Sequence, residues 1–333
     1  MGSNNKIFGA YISGTGSFVP DKILTNADLS KMVDTSDEWI TTRTGIKERR
    51  IANENETTAY LSIEACRNAM EMAGLGPEEI GAVIIGTITP EMVFPSTGCF
   101  VQQALGLKNA FAFDLQAACS GFLYSLSVAE AFVKMGKYNN ILVLGAETLS
   151  TIVDYNERTS CILFGDGAGA AVVSRTDDTS KGVLYTNCGA DGGGWESLYC
   201  KAYGSRYPVS RPLEDESDKF MKLQGREVYQ LAVRTIVDEF NLCLKSHDLD
   251  KSQIKMIIPH QMNARIIESS SKRLGLSEDQ VYINIAKYGN TSAASIPIAL
   301  DECVRQGILT KGDYSILIAF GAGLTWASAL IKF

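Results

Sequence analysis

Cys119–Gly145 reads CSGFLYSLSVAEAFVKMGKYNNILVLG, and Asn290–Gly321 reads NTSAASIPIALDECVRQGILTKGDYSILIAFG. Each stretch opens on small polar residues and runs at helix length to a glycine seventeen residues on, Gly136 or Gly307, before an apolar strand. Upstream, Ile80–Gly86 matches Ile254–His260, and Leu105-Gly106-Leu107 matches Leu274-Gly275-Leu276. Matched landmarks in one order predict an internal duplication of about half the chain. The polar run Arg175–Lys181 marks the boundary, which divides a half at 1–175 from a half at 182–333.

Short apolar runs separated by helix-length stretches predict buried strands in an α/β fold: Ala82–Ile85, Ala110–Leu115, Ile141–Leu144, Met256–Ile258, Val281–Ile285 and Tyr314–Ala319. With 333 residues, 45% of them hydrophobic, the chain has ample material for a core, which excludes disorder. The net charge of −7 argues against a nucleic-acid binder. No run approaches a membrane span, and Met1–Ala10 lacks the pattern of a signal peptide, so a cytoplasmic protein is expected. Eight cysteines without a Cys-x-x-Cys pair read as free thiols and predict no metal site.

A cysteine is usually a small buried hydrophobe, so context must single one out. Cys119 follows the strand-like Phe111–Leu115 and precedes Ser120-Gly121 and a helix, where first-turn amides and the helix dipole favour a thiolate. Of the two histidines, His247 lies in a polar stretch, whereas His260 ends the strand Met256–Pro259. Asn290 alone reads as a turn and helix cap, but the duplication sets it opposite Cys119. A cysteine, a histidine and an asparagine converging at strand ends suit an acyltransferase working through a cysteine thioester. Phe164–Gly169 lacks the lysine of a phosphate loop and predicts close backbone packing. Phe320–Gly323 ends a strand whose amides would serve as an oxyanion hole.

These motifs, with Ser36–Ile40, Arg43–Ile46, Ala117–Gly121, His260–Arg265 and Gly289–Ala293, resemble those of the β-ketoacyl-acyl-carrier-protein synthase III family over essentially the whole chain. The resemblance implies a thiolase-like fold, two similar halves in a layered α-β-α-β-α arrangement. It implies decarboxylative condensation of acetyl-coenzyme A, or another short acyl-coenzyme A, with malonyl-acyl carrier protein to initiate fatty acid synthesis. No cofactor is implied beyond the coenzyme A thioester substrate, and a homodimer is. Cys119, His260 and Asn290 would be catalytic, with the amides of Cys119 and Ala322 forming the oxyanion hole. Thr35, Trp39, Arg43, Arg158, Gly225 and Asn263 would bind coenzyme A. Ile88, Leu149, Phe164, Leu198 and Phe320 would line the acyl pocket, and Phe94 would reach into the neighbouring subunit's. Gln261, Met262, Asn263, Ala264, Arg265, Lys272 and Arg273 would receive the carrier protein.

Ala322 departs from the family's usual glycine, Gln230 stands where some members carry a docking lysine, and Lys201–Asp218 is longer than is typical. Elongating relatives use two histidines, and His247 is wrongly placed for the second. Thiolases need a further cysteine in the final glycine-rich strand, which Phe320–Gly323 lacks. The remaining alternatives are a pathway-specific relative that primes a polyketide or specialised lipid, and a non-catalytic partner protein, which the retained Cys119, His260 and Asn290 disfavour.

Overall fold

The computed structural model describes residues 6–333, with backbone only at 225–228. The first half begins with β1 (Gly9–Phe18), β2 (Ile23–Thr25), α1 (Asn26–Leu29), α2 (Asp37–Thr44) and β3 (Glu48–Arg50). It continues with α3 (Thr58–Ala73), β4 (Ala82–Gly86), α4 (Thr97–Ala104), β5 (Phe111–Leu115), α5 (Gly121–Lys134), β6 (Asn140–Glu147), α6 (Arg158–Cys161) and β7 (Gly167–Thr176). The second half runs β8 (Gly182–Ala190), β9 (Leu198–Cys200), β10 (Met221–Leu223), α7 (Gly225–Ser246), β11 (Ile254–Pro259) and α8 (Ala264–Leu274). It closes with α9 (Ile285–Tyr288), α10 (Ser295–Arg305), β12 (Tyr314–Gly321) and β13 (Thr325–Lys332).

Two sheets carry the architecture, ordered β1-β7-β6-β4-β5 and β8-β13-β12-β11. Their pairings agree strand for strand: antiparallel, antiparallel, then parallel. In the first sheet β4 also pairs β5 in parallel, and in the second Ile257 of β11 makes one parallel bridge to Val281. The strand predicted over Val281–Ile285 is reduced to that bridge. The chain leaves the sheet because the Asn284 amide donates to the buried Gln261 side chain and Ile285 opens α9.

Alternation along the strands explains the layers. Ala82 and Ile84 of β4, Ile141 and Val143 of β6, and Leu317 and Ala319 of β12 face a central core with Phe122 and Leu126 of α5 and Ile296 and Leu300 of α10. Val83, Ile85, Leu142 and Leu144 turn outward onto α3 and α4. Ile316 and Ile318 turn the other way, onto Val233, Ile236 and Phe240 of α7 and Ile266 of α8. The result is α3/α4, sheet, α5/α10, sheet, α7/α8, an α/β fold of the thiolase-like type.

The register of the repeat differs from the sequence-based expectation by three residues. A short helical turn precedes α5 at Ala118–Ser120 and α10 at Ser292–Ala294, and each opens on a non-glycine residue in the left-handed region, Ala118 at φ 47° and Ser292 at φ 49°. Cys119 therefore corresponds to Ala293, not Asn290. Counting back from Gly136 and Gly307 misleads because α10 has 11 residues and α5 has 14.

The turn of each half packs on the strand of the other: Ala118–Ser120 on β12, Ser292–Ala294 on β6. Backbone approaches backbone there. A Cβ on Gly145 would overlap the Ala293 carbonyl, and one on Gly321 would stand 2.8 Å from the Cys119 nitrogen. Gly145→Ala should cost about 1–3 kcal/mol in urea unfolding, whereas Gly192→Ala, with nothing within 4 Å of the added carbon, should be near neutral. Equal losses would show that close packing between the halves is not the constraint.

Candidate active site

Cys119, His260 and Asn290 all border one cavity of about 400 Å³. A second cavity of about 710 Å³ lies beyond the thiol. Cys119, Phe164, Leu198 and Ala322 border both, so the thiol stands at their junction.

Cys119 sits in the turn before α5 and is buried. Loss of solvent pushes its thiol up to about 12, and the nearby Ser292 hydroxyl opposes this only in part. The expected helix-start stabilisation is thus outweighed by burial in the resting state.

His260 follows β11 and is held by its amide on the Ile318 carbonyl at 2.8 Å. Its ring is buried, and burial alone lowers its pKa to about 3, so the imidazole is neutral. Nδ1 lies 2.6 Å from Ser295 Oγ, which also receives the Gln261 amide. With the Gln261 amide already donating to Ser295 Oγ, we assign the Ser295 hydroxyl as the donor to Nδ1. Nε2 then carries the ring hydrogen, and it has no partner among the described residues. The site holds a neutral imidazole with an unspent donor.

Asn290 is fixed at three atoms. Its amide donates to Leu163 at 2.8 Å, its carbonyl accepts from Gly165 at 3.0 Å, and its Oδ1 accepts from the Ser292 amide at 2.8 Å. The side-chain amide group is left to face the cavity. Arg49, buried and in no ion pair among the described residues, steadies the segment from behind by donating to the Ile162 carbonyl at 2.6 Å. Gly165 packs on the Tyr288 carbonyl and Gly169 on α10, the close backbone packing expected of that glycine string.

Trp39, Arg43 and Asn263 line the first cavity. The guanidinium groups of Arg43 and Arg158 lie 4.3 and 4.7 Å from the Trp39 ring centre. Arg158, tied to the Asp34 carbonyl at 2.8 Å, closes directly over the indole, so a planar ring between them requires Arg158 to move. Thr35 keeps a buried hydroxyl with no partner among the described residues, which do not include the side-chain position of Gly225.

Ile88, Leu149, Phe164 and Leu198 border the second cavity; Phe320 borders the first. Phe94 is 81% exposed and lines neither. The stretch from Lys201 to Asp218, closed by their ion pair at 2.8 Å, brings Lys201–Gly204 to the second cavity.

Two of the residues expected to receive a carrier protein are buried. Gln261 is buried, its amide spent on the Pro259 and Tyr282 carbonyls and its oxygen on the Asn284 amide, and Ala264 is buried against Gly45. Arg265, Lys272 and Arg273 remain exposed on α8 with no ion pair among the described residues. Among the described residues there is no cluster of ligands for a metal and no helix apolar enough to cross a membrane. Ser292, Ser295 and Glu147 contribute hydrogen bonds to the site that sequence reasoning missed. The signal for Glu147 is a carboxylate ending a buried apolar strand.

Family models described as 3-oxoacyl-[acyl-carrier-protein (ACP)] synthase III and its C-terminal part match residues 113–192 and 244–333. The β-ketoacyl-[acyl-carrier-protein] synthase III of Caldanaerobacter subterraneus subsp. tengcongensis is 54% identical over 97% of each chain. The crystal structure of 3-oxoacyl-[acyl-carrier-protein] synthase III from Aquifex aeolicus VF5 is similar at TM-score 0.91 and 45% identity, covering 98% of this chain and 100% of that one. The priming β-ketosynthase of the R1128 polyketide pathway is similar at TM-score 0.92 and 35% identity, covering 99% and 97%.

Burial of His260 has a sign that is open to measurement. An unfolded imidazole titrates near about 6.5 and the folded one near 3, so the unfolded state gains protons first and the ring's contribution to stability falls as pH drops below about 6.5. The His260 ring nitrogens, followed by NMR, should keep neutral-tautomer shifts down to about pH 5, with the hydrogen on Nε2. A midpoint near the ordinary value of about 6.5 would contradict the buried neutral ring.

Proposed function

The chain belongs to the 3-oxoacyl-[acyl-carrier-protein] synthase III family, acyl-transferring condensing enzymes of fatty acid synthesis, and from that premise we propose how its residues divide the reaction. Acyl-coenzyme A and acyl carrier protein are the substrates. Relatives named for this activity are 46–54% identical over nearly the whole chain. The polyketide-priming protein is more distant, at 35%.

Cys119 attacks the acyl-coenzyme A carbonyl, and the amides of Cys119 and Ala322 receive the oxyanion. Coenzyme A leaves, with Trp39, Arg43, Arg158 and Asn263 as its contacts, together with Thr35 and Gly225. The acyl chain rests in the second cavity against Ile88, Leu149, Phe164 and Leu198, with Phe320 on the side of the first. The malonyl thioester then enters the first cavity, where His260 Nε2–H and the Asn290 amide donate to its carbonyl oxygen. Negative charge builds on that oxygen as carbon dioxide departs, and the resulting carbanion attacks acyl-Cys119 to give 3-ketoacyl-carrier protein. The observation that carries this reading is the convergence of Cys119, His260 and Asn290 on one cavity, with the Nε2 donor unspent. A neutral imidazole suits the role, because a donor is needed there and no proton has to be lost.

The carrier protein docks on Arg265, Lys272 and Arg273, beside Met262 and Asn263. We further propose a homodimer, supported by a half-exposed edge strand β5 and the exposed Val93 and Phe94. Free thiols at all eight cysteines suit a reducing cytoplasm. The halves 1–175 and 182–333 are taken as copies of one unit on the strength of their matching strand order. The second cavity is far larger than an acetyl group, so the starter is best identified by intact mass across acyl-coenzyme A lengths.

His260→Ala and Asn290→Ala should still form acyl-Cys119 while carbon dioxide release from malonyl-carrier protein falls by about 10²–10³. Ser295→Ala, which frees the tautomer, should shift the same step in the same direction. Undiminished carbon dioxide release in all three would remove these residues from the mechanism. Trp39→Ala and Arg158→Ala should raise KM for acyl-coenzyme A with little change at saturation; a loss confined to kcat would place the nucleotide elsewhere.

A further inference from the structure

The thiol proton of Cys119 has no evident destination in the catalytic trio. Acyl transfer needs the thiolate, but burial holds the resting thiol protonated. His260 does not take that proton in the tautomer assigned to it, in which Nδ1 accepts from Ser295 and Nε2 already carries a hydrogen.

On another side of Cys119 lies Glu147, the last residue of β6, fully buried and in no ion pair among the described residues. Its two oxygens differ. Oε2 accepts from Thr89 Oγ1 at 2.7 Å, the Ile88 amide at 3.1 Å, the Thr89 amide at 3.2 Å and Thr87 Oγ1 at 3.2 Å. Oε1 accepts from Ser292 Oγ alone, at 3.0 Å. Ser292 belongs to the turn that packs on the Cys119 turn, both residues border the second cavity, and the Ser292 hydroxyl is near enough to the Cys119 sulfur to favour its thiolate. One hydroxyl thus stands near the thiol and donates to a carboxylate oxygen that has no other partner among the described residues.

We propose that Ser292 and Glu147 are positioning residues that carry the proton of Cys119. The thiol hydrogen passes to Ser292 Oγ as the Ser292 hydroxyl hydrogen passes to Glu147 Oε1, leaving a Cys119 thiolate and a neutral Glu147 carboxyl. One buried anion exists before the transfer and one after, so no net charge is created in the interior. The four donors on Oε2 keep that oxygen an acceptor and direct the proton to Oε1. The thiolate then bonds to the acyl carbon, the bond to coenzyme A sulfur breaks, and the coenzyme A thiolate takes its proton from solvent. When condensation frees Cys119, its sulfur recovers the proton from Glu147 by the reverse path.

Burial raises the Glu147 carboxyl to about 7, which poises it between holding and releasing a proton near neutrality. The titratable groups facing the path are Cys119 and Glu147 at its ends and His260 across the first cavity. Thr87–Thr89 and Thr148 present only hydroxyls and amides. As pH rises through about 7, the coupled pair loses one proton, and the thiolate becomes accessible there instead of near 12.

This inference rests on Cys119 as the acyl nucleophile, and the experiment separates the two. Acyl-enzyme formation from acetyl-coenzyme A would be followed by rapid quench and intact mass from about pH 5.5 to 10 in the wild type, Glu147→Gln and Ser292→Ala. Alanine suits position 292 because Ala118 holds the same left-handed backbone in the first half. The wild-type rate should rise through an inflection near 7. Both variants should lose that inflection, acylate about 10²-fold more slowly at neutral pH and recover only in alkali, with KM for acetyl-coenzyme A unchanged. Should Glu147→Gln fail to fold, Ser292→Ala, which leaves the carboxyl in place, decides alone. Variant profiles that superimpose on the wild type would overturn the proton path while leaving the nucleophile intact. A Cys119→Ala variant that still gains the acyl mass would instead overturn the reading beneath it.

Discussion

Contact between backbones across the two halves is the constraint on which the rest of this molecule depends. Gly321 presses on the Cys119 nitrogen and Gly145 on the Ala293 carbonyl, with no side chain between strand end and turn. Only that absence lets the turn carrying Cys119 sit within one residue layer of β12, while the turn carrying Ser292 sits as closely on β6. The same closeness removes water. A neutral imidazole, a protonated thiol and a carboxyl raised above its ordinary range follow from the exclusion of solvent rather than from any cluster of charge.

Function at this site therefore rests on hydrogen-bond bookkeeping more than on ion pairs. His260 has one ring nitrogen committed to Ser295 and one free; Asn290 has three atoms committed and its side-chain amide group facing the cavity. Each commitment fixes what the remaining atom is able to do. A buried group with a single unspent donor acts only on a substrate that brings an acceptor, which is what the enolate-stabilising role proposed for His260 and Asn290 requires.

The duplication was legible because apolar runs and glycine stops recur in order, and the meeting of Cys119, His260 and Asn290 at one cavity was legible because each lies where a strand or turn ends. Two things were not. The pairing of Cys119 with Asn290 across the repeat failed by three residues, since sequence shows where a helix stops at glycine more plainly than where it starts. The roles of Ser292, Ser295 and Glu147 depend on approaches between residues up to 145 positions apart, as in the Ser292–Glu147 bond, and no local pattern encodes them. Gln261 and Ala264 misled for a related reason: both belong to a motif near the surface, but their side chains point inward.

The position of Cys119 at the junction of two cavities imposes a sequence in time. A thioester arriving through the first cavity can hand its acyl group to the sulfur and withdraw, because the chain is parked behind the thiol and no longer fills the way in. The vacated space is then the same space the second thioester needs, with the same donors waiting in it. On the proposed division of roles, two substrates that share one doorway would not be bound there together, and the kinetics would be of the ping-pong kind, with coenzyme A gone before the carrier's thioester is seated. The fold thus acts as a one-place memory, which records in a covalent bond which molecule called first.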